Sequence, residues 1–300
     1  MGISRKKKIG FIGFGTVASE FSRGFDRSGL LEVWAYDKIL KDPLQKGKMQ
    51  KRAVELNVKL AGDIASLIEG CEIVLSTVTV DAAIEVAKQS ASFLGKQNTY
   101  VDLNSTSPGT KREIAHIVEK TGANFVEGAI LGAIGSYGLR VPIMVCGEEV
   151  EEFQNLMGQV GMDLTYVGKA IGKACTIKML RSVFAKGVEA LLVEMLQGAV
   201  RHDVENYVME NICKYMDGSS FFSIANNWLT THAVHAERRF WEMEQVIETL
   251  REIGVEPIMA TATREKLKVS IDLRLKEFFE GREPKDYHQV IAAIEAKTSS

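Results

Sequence analysis

The sequence predicts an α/β chain, with a doubly wound, mostly parallel sheet in its first half and an all-helical domain in its second. Three observations carry that reading. Short apolar runs alternate with helical patterns from Ile9 to about residue 166. A glycine-rich turn, Gly13-x-Gly15-x-x-Ala18, joins the first apolar run to the first helical pattern. Beyond about residue 172 strand-like alternation stops, and apolar residues recur at helical spacing. The change falls near 166–172 and divides the chain into residues 1–168 and 169–300.

The first strand is Ile9 to Ile12, within "KKIGFIGFGTVASEFSRGF". In the turn that follows, Gly13 permits the tight bend and Gly15 lets backbone approach a pyrophosphate. The small Ala18 lets the helix pack close to the strand, and the helix start supplies N–H donors and positive dipole. A lone G-x-G-x-x-A is a weak signal. Here it lies between strand and helix, and the next strand, "LEVWAYD", ends at Asp37, about 20 residues on, where an acid meets a ribose 2′-hydroxyl. This is the pattern of a Rossmann dinucleotide-binding unit. Gly13, Gly15, Thr16, Val17 and Ala18 form its expected pyrophosphate turn, and Asp37 its ribose contact. Asp37 would repel a 2′-phosphate, which favours NAD over NADP; Lys38 beside it keeps NADP open.

The alternation continues through helices at "KGKMQKRAVELN" and "DIASLIEGC", the strand "EIVLSTVT", the helix "DAAIEVAKQSASFL" and the strand "NTYVDLN". "REIAHIVEKTG" and "NFVEGAILGA" extend it. Loops at the strand ends, Thr77-Val78-Thr79 and Asn104-Ser105-Thr106, are expected to line the crevice where such sheets bind ligands. Thr77, Val78 and Asn104 are thereby placed beside the cofactor, and Asn104 is carried as a substrate-binding candidate as well.

Composition excludes several classes. With 37 basic and 39 acidic side chains in 300 residues, no global charge bias points to nucleic acid or an anionic membrane. No segment reaches the roughly 18 apolar residues of a membrane span. The basic "SRKKK" is followed by no signal-peptide core and reads as a solvated tail running into the first strand. Cys71, Cys146, Cys175 and Cys213 form no C-x-x-C pair, which reads as reduced thiols of a cytoplasmic protein, with Cys175 a small buried filler.

Four segments carry a family resemblance. They are "GFIGFGTVA" (10–18), "VDLNSTSP" (101–108) against D-x-S-T-x-x-P, "EGAILGA" (127–133) against D-A-P-V-S-G-G, and Gly172-x-Ala174-x-x-x-Lys178 against G-x-G-x-x-x-K. In this order they resemble the β-hydroxyacid dehydrogenases, the group of 3-hydroxyisobutyrate and 6-phosphogluconate dehydrogenases. The resemblance implies that Lys178 is the catalytic lysine and that Gly132 lies in the substrate-carboxylate loop with Ala133. It also implies a long helix, about 173 to 200, joining the domains, and a homodimer whose second domains pack together. The stretch from His235 to Met259 resembles the C-terminal domain of a 6-phosphogluconate-dehydrogenase-like branch with no assigned substrate. Three positions depart from the pattern. Asn104 replaces the first serine, Leu131 stands where a serine hydroxyl would meet carboxylate, and Ser182 replaces an asparagine four residues after Lys178.

A hydroxyacid dehydrogenase must remove a hydroxyl proton as hydride leaves the same carbon. A lysine serves as that base near neutral pH only if desolvation or neighbouring positive charge lowers its pKa. Lys178 has Ile177, Met179, Leu180 and Val183 for apolar company and Arg181 for charge. Ser182, one turn on, shares its helix face and is expected to orient substrate with it.

His235 and Arg238, in "HAERR", are carried as substrate-binding candidates, against a salt-bridged helix face with Glu237 and Glu242. His232 and His235 lack a third ligand, so no metal is expected. The charged run "EKLKVSIDLRLKEFFEGREPKDY" reads as a peripheral helix. The function expected is hydride transfer between a small 3-hydroxy acid and NAD or NADP, with a small-molecule substrate as the partner besides a second subunit. Two alternatives stand beside it. One is an imine reductase on the same architecture, against which Lys178 argues; the other is a non-catalytic nucleotide-binding redox sensor.

Overall fold

The computed structural model describes residues 6–299, so Ser4 and Arg5 of the basic opening lie outside the described residues. Two compact units divide the chain, Met1–Ser182 and Val183–Ser300.

The first unit is built on one eight-stranded sheet. In chain order it runs β1 (Lys7–Ile12), α1 (Thr16–Ser28), β2 (Leu31–Tyr36), α2 (Pro43–Glu55), β3 (Lys59–Leu60), α3 (Ile64–Gly70), β4 (Ile73–Ser76), α4 (Ala83–Ala91), β5 (Thr99–Asp102), α5 (Pro108–Glu119), β6 (Asn124–Ile130), α6 (Ile134–Tyr137), β7 (Ile143–Cys146), α7 (Glu151–Gln159) and β8 (Leu164–Tyr166). The strand order is β3-β2-β1-β4-β5-β6-β7-β8. All neighbours pair in parallel except β6 and β7, where Ile130 lies opposite Ile143 in antiparallel register.

Both faces of the sheet are covered, so the strands bury nearly every side chain. β1 shows how two cores arise from one strand. Ile9 and Phe11 enter a cluster with Phe14, Phe21 and Phe25, whereas Ile12 joins Leu67, Val74, Tyr100 and Ile114 in the second. Gly10 lies over Leu67 and Cys71, where a Cβ would come within 3.1 Å of the sulfur. The chain leaves β1 towards β2 on one side and returns at β4 on the other. That reversal opens a crevice at the carboxyl ends of β1 and β4.

The second unit is helical, as the periodicity requires. α8 (Lys173–Arg201) enters it from the first unit, and α9 (Glu205–Asp217), α10 (Phe221–Glu252), α11 (Ile258–Asp272), α12 (Leu275–Phe278) and α13 (Tyr287–Thr298) follow. Ile224, Ala233, Ile247, Leu267, Leu275 and Val290 are among its buried residues. Glu194 on α8 is buried and accepts from the N–H groups of Met259 (2.6 Å) and Ala260 (2.8 Å), capping the start of α11.

One reading of the sequence is corrected. The run from Glu265 to Tyr287 is not one helix. α11 ends at Asp272, Arg274 adopts left-handed backbone (φ 53°), and a turn at Glu280 and Gly281 separates α12 from α13. Leu275 is buried, which draws the chain inward at the break. The first turns of α8 are tied into the first unit, so the compact units divide inside α8, after Ser182, a few residues beyond the change in sequence pattern near 166–172.

Candidate active site

The glycine turn has the geometry its sequence implies. Gly13 has φ +91°, and a Cβ there would sit 2.6 Å from the Thr77 carbonyl oxygen, so any side chain is excluded twice over. Gly15, the residue before α1, has no atom within 4 Å of its virtual Cβ, and no acidic residue occupies the first turn of the helix. The α1 start therefore presents N–H groups over open space, with dipole and shape suited to a pyrophosphate. Asp37 follows β2. Its Oδ2 accepts from Phe14 N–H at 2.8 Å and its Oδ1 from Ile39 N–H at 2.9 Å, which fixes the carboxylate beside the turn with lone pairs to spare. Arg52 donates to the Phe14 carbonyl at 3.1 Å. These residues fit a dinucleotide.

At the end of β4, Thr77 Oγ1 donates to the Gly13 carbonyl at 2.7 Å, joining the two halves of the crevice. Val78 N–H donates to Asn104 Oδ1 at 2.8 Å. The Asn104 amide in turn donates to Ser76 Oγ (2.9 Å) and Asp102 Oδ1 (2.5 Å). With only 4% exposure, its two N–H donors are spent inside the protein. Asn104 thus shapes the Val78 turn.

Beneath that turn lies a buried ion pair. Lys111 and Asp102 are both fully buried, with Nζ 3.1 Å from Oδ2, and the same ammonium donates to the Asp102 carbonyl at 2.9 Å. Sequence reasoning missed Lys111, since "TKREIAH" reads as an ordinary solvated helix start. Its signal was positional: it stands three residues after Pro108, on the face that carries Ile114, Ala115 and Val118 into the core.

Lys178 occupies the second turn of α8 and donates to Ser105 Oγ at 2.5 Å. Burial lowers its pKa below that of an ordinary lysine, and the Lys111 ammonium lowers it further. Ser182 Oγ donates back to the Lys178 carbonyl at 3.0 Å, while Arg181 holds the Leu131 carbonyl at 3.1 Å. Gly132 and Ala133 follow with exposed backbone. Ser105, Lys178 and Ser182 are thus gathered with the Leu131–Ala133 loop at the carboxyl end of the sheet.

His235 and Arg238 belong to the second unit, where each faces a carboxylate. His235 Nε2 lies 3.9 Å from Glu283, and Arg238 pairs with Glu242 one turn along α10. His232 bonds Ser270 Oγ at 2.7 Å, and burial, helped by Arg239 and Lys266, holds its pKa below the usual value. Among the described residues no group of three or more His, Cys, Asp or Glu is placed to hold a metal. Burial pushes the Cys175 thiol up to about 12 and that of Cys146 to about 11, so both stay protonated at neutral pH.

Residues 8–168 match the model of the NAD binding domain of 6-phosphogluconate dehydrogenase, and residues 199–269 match a domain of unknown function, DUF1932. A 28.5 kDa protein encoded in the 7S RNA 5′ region of Methanothermus fervidus is 29% identical over 87% of this chain and 98% of its own length. The mitochondrial 3-hydroxyisobutyrate dehydrogenase of Rattus norvegicus is 23% identical over 75% of this chain and 67% of its own. The solved structure of the conserved protein MTH1747, described as similar to 3-hydroxyacid dehydrogenases, is 32% identical, with a TM-score of 0.59 over 90% of this chain and 98% of that one. A reductive aminase from Aspergillus terreus, in complex with NADPH and ethyl-5-oxohexanoate, shares the fold at 16% identity, with a TM-score of 0.74 over 96% and 99% of the two chains. A glycine turn fitted to a dinucleotide, a domain match across more than half the chain and a relative of known fold agree: the chain belongs to the β-hydroxyacid dehydrogenase superfamily, a family of nicotinamide-dependent oxidoreductases.

Proposed function

We propose that the protein oxidises a small 3-hydroxy acid, or reduces the matching carbonyl compound, with Lys178 as the acid/base. The observation that carries this is the setting of Lys178. It is a half-buried ammonium with lowered pKa, in hydrogen-bond contact with Ser105 and beside the crevice of a dinucleotide-binding sheet. Gly13, Gly15, Thr16, Val17 and Ala18 hold the pyrophosphate, Asp37 the ribose, and Thr77 and Val78 the nicotinamide side of the crevice. Bound there, a nicotinamide supplies the acceptor or donor of hydride. Neutral Lys178 takes the proton of the substrate hydroxyl in the oxidative direction; its ammonium polarises and protonates the carbonyl in the reductive one. Ser105 keeps Nζ in place, Ser182 lies one turn away on the same face, and the Gly132–Ala133 backbone offers N–H groups to the substrate carboxylate.

Asp37 favours NAD, because its carboxylate stands where a 2′-phosphate would be repelled. Leu131 removes a hydroxyl from the family's usual substrate shell and Ser182 replaces an amide with a shorter hydroxyl, which favours a substrate with fewer polar contacts than hydroxyisobutyrate makes there. Second units of two chains pack together in this reading, covering apolar side chains that one chain leaves exposed.

The test is a panel of 3-hydroxy acids with NAD+ and NADP+, followed at the nicotinamide absorbance, beside fluorescence titrations of both nucleotides. Turnover of at least one acid, with tighter binding of NAD(H), is expected. Tight nucleotide binding with no turnover of any hydroxy acid would favour the redox-sensor reading.

A further inference from the structure

The mechanism above leaves several buried acids unused, Glu127 among them. Glu127, at the centre of β6, is fully buried, and among the described residues its side chain meets backbone N–H groups and a thiol. Both its oxygens point at the start of α8. Oε2 accepts from Gly172 N–H in a short hydrogen bond, and Oε1 accepts from Cys175 N–H at 2.6 Å. The Cys146 thiol adds a third donor, to Oε2 at 3.1 Å. One carboxylate thus satisfies two orphan N–H groups of a 29-residue helix and sits at its positive end. The backbone is shaped to allow it. Gly172 has φ +101°, and a Cβ there would lie 2.9 Å from the Arg112 guanidinium and 3.2 Å from Pro108 Cβ.

Lys178 is one turn beyond Cys175, on the same face. Its partner Ser105 is fixed independently, in the loop held by Asn104, Asp102 and Lys111. The Lys178–Ser105 contact therefore depends on where the helix begins. A slide of about 1 Å is enough to undo such a reactive geometry. We propose that Glu127 is a positioning residue for Lys178, a bidentate clamp on the α8 start that holds its ammonium against Ser105 and out of bulk water. The inference rests on reading Lys178 as the acid/base.

The charged and titratable groups around this end of α8 include Lys111, Asp102 and Arg112 from β5 and α5, Glu127 and Cys146 from the sheet, and Lys173, Cys175 and Arg181 on the helix itself. Among them Glu127 allows a test whose sign is diagnostic. Removing its negative charge, with geometry kept, would lower the pKa of a nearby ammonium. Releasing the helix would raise it, because Lys178 would be resolvated.

Competitive acetylation with acetic anhydride across pH, read for the Lys178 peptide by mass spectrometry, measures this in the whole protein without any substrate. In the unaltered protein Lys178 should titrate below the exposed lysines. In Glu127→Gln its midpoint should move up by about one pH unit, towards theirs, while an NADH titration shows the nucleotide domain intact. If Glu127→Gln does not fold, Glu127→Asp keeps the charge but falls short of both N–H groups, and should give a smaller rise. A Lys178 midpoint that is unchanged or lower, whatever happens to the melting temperature, overturns the clamp. That result would leave the acid/base reading standing, whereas full turnover in Lys178→Ala would end the acid/base reading and leave the clamp.

Discussion

At the scale of single residues, the proposed function makes Lys178 the group that sets the pH behaviour. Burial and then Lys111 hold its pKa down in the folded state. The neutral amine is the form that accepts a proton, so oxidative kcat/KM should rise with pH to a plateau with its midpoint below the ordinary lysine value of about 10.4. The reductive rate should fall through the same midpoint, because it needs the ammonium. A double exchange, Lys111→Met with Asp102→Asn, removes the buried charges together and should move that midpoint up; a pH–rate profile reads it. Stability follows the same shift. Between the folded and unfolded pKa of Lys178 the unfolded chain binds more protons, so stability rises with pH across that window and the ammonium is a net burden below it. Lys178→Met should therefore raise the melting temperature at neutral pH while abolishing turnover, and calorimetry would expose the opposite sign. Gly13→Ala should be the reverse case. It forces a Cβ to 2.6 Å from a carbonyl oxygen at φ +91°. It should lose nucleotide affinity and cost about 1–3 kcal/mol of stability, measurable by denaturant titration.

At the scale of elements, helix starts decide much of the architecture, and they also mark where the sequence was and was not legible. The turn after β1 could be read because glycine spacing, strand, helix and acid each carry a local signature. The place of Lys178 in the second turn of α8 could be read from its spacing to Gly172. Glu127 could not, since its partners lie 45 and 48 residues away and are backbone groups that leave no trace in side-chain pattern. Lys111 was hidden for a related reason, because its anion Asp102 is nine residues back on a strand. The break at Arg274 was missed because amphipathic spacing continues through a residue whose backbone has turned left-handed. Glu194 repeats the Glu127 device in the second unit, capping α11 from α8. Glu194→Ala should strand one buried and one half-buried N–H group and cost about 1–3 kcal/mol. Nucleotide titration should stay unchanged while thermal unfolding of the helical unit moves to lower temperature; no shift would show the cap to be idle.

At the scale of the molecule, the second unit leaves large apolar side chains in solvent. Tyr207 is 76% exposed, Phe222 69% and Trp241 64%. On the proposed reading, a second copy of the chain covers these side chains. Sedimentation velocity should show a dimer, and Phe222→Asp with Trp241→Glu should shift it towards monomer. A monomer at micromolar concentration would count against the packing of second units. Fold class and, β3 apart, the order of elements from β1 to β6 were legible because strand and helix periods alternate cleanly there. The division inside α8 was not, because one unbroken helix serves both units and only its tertiary anchors tell where one unit ends.

The most direct measurement is Lys178→Ala assayed on whichever hydroxy acid the panel reveals, beside a fluorescence titration of NADH with the same variant. The account predicts nucleotide binding within about twofold of the unaltered protein and a fall in kcat of at least about 100-fold. Turnover close to that of the unaltered protein, with binding intact, would contradict it.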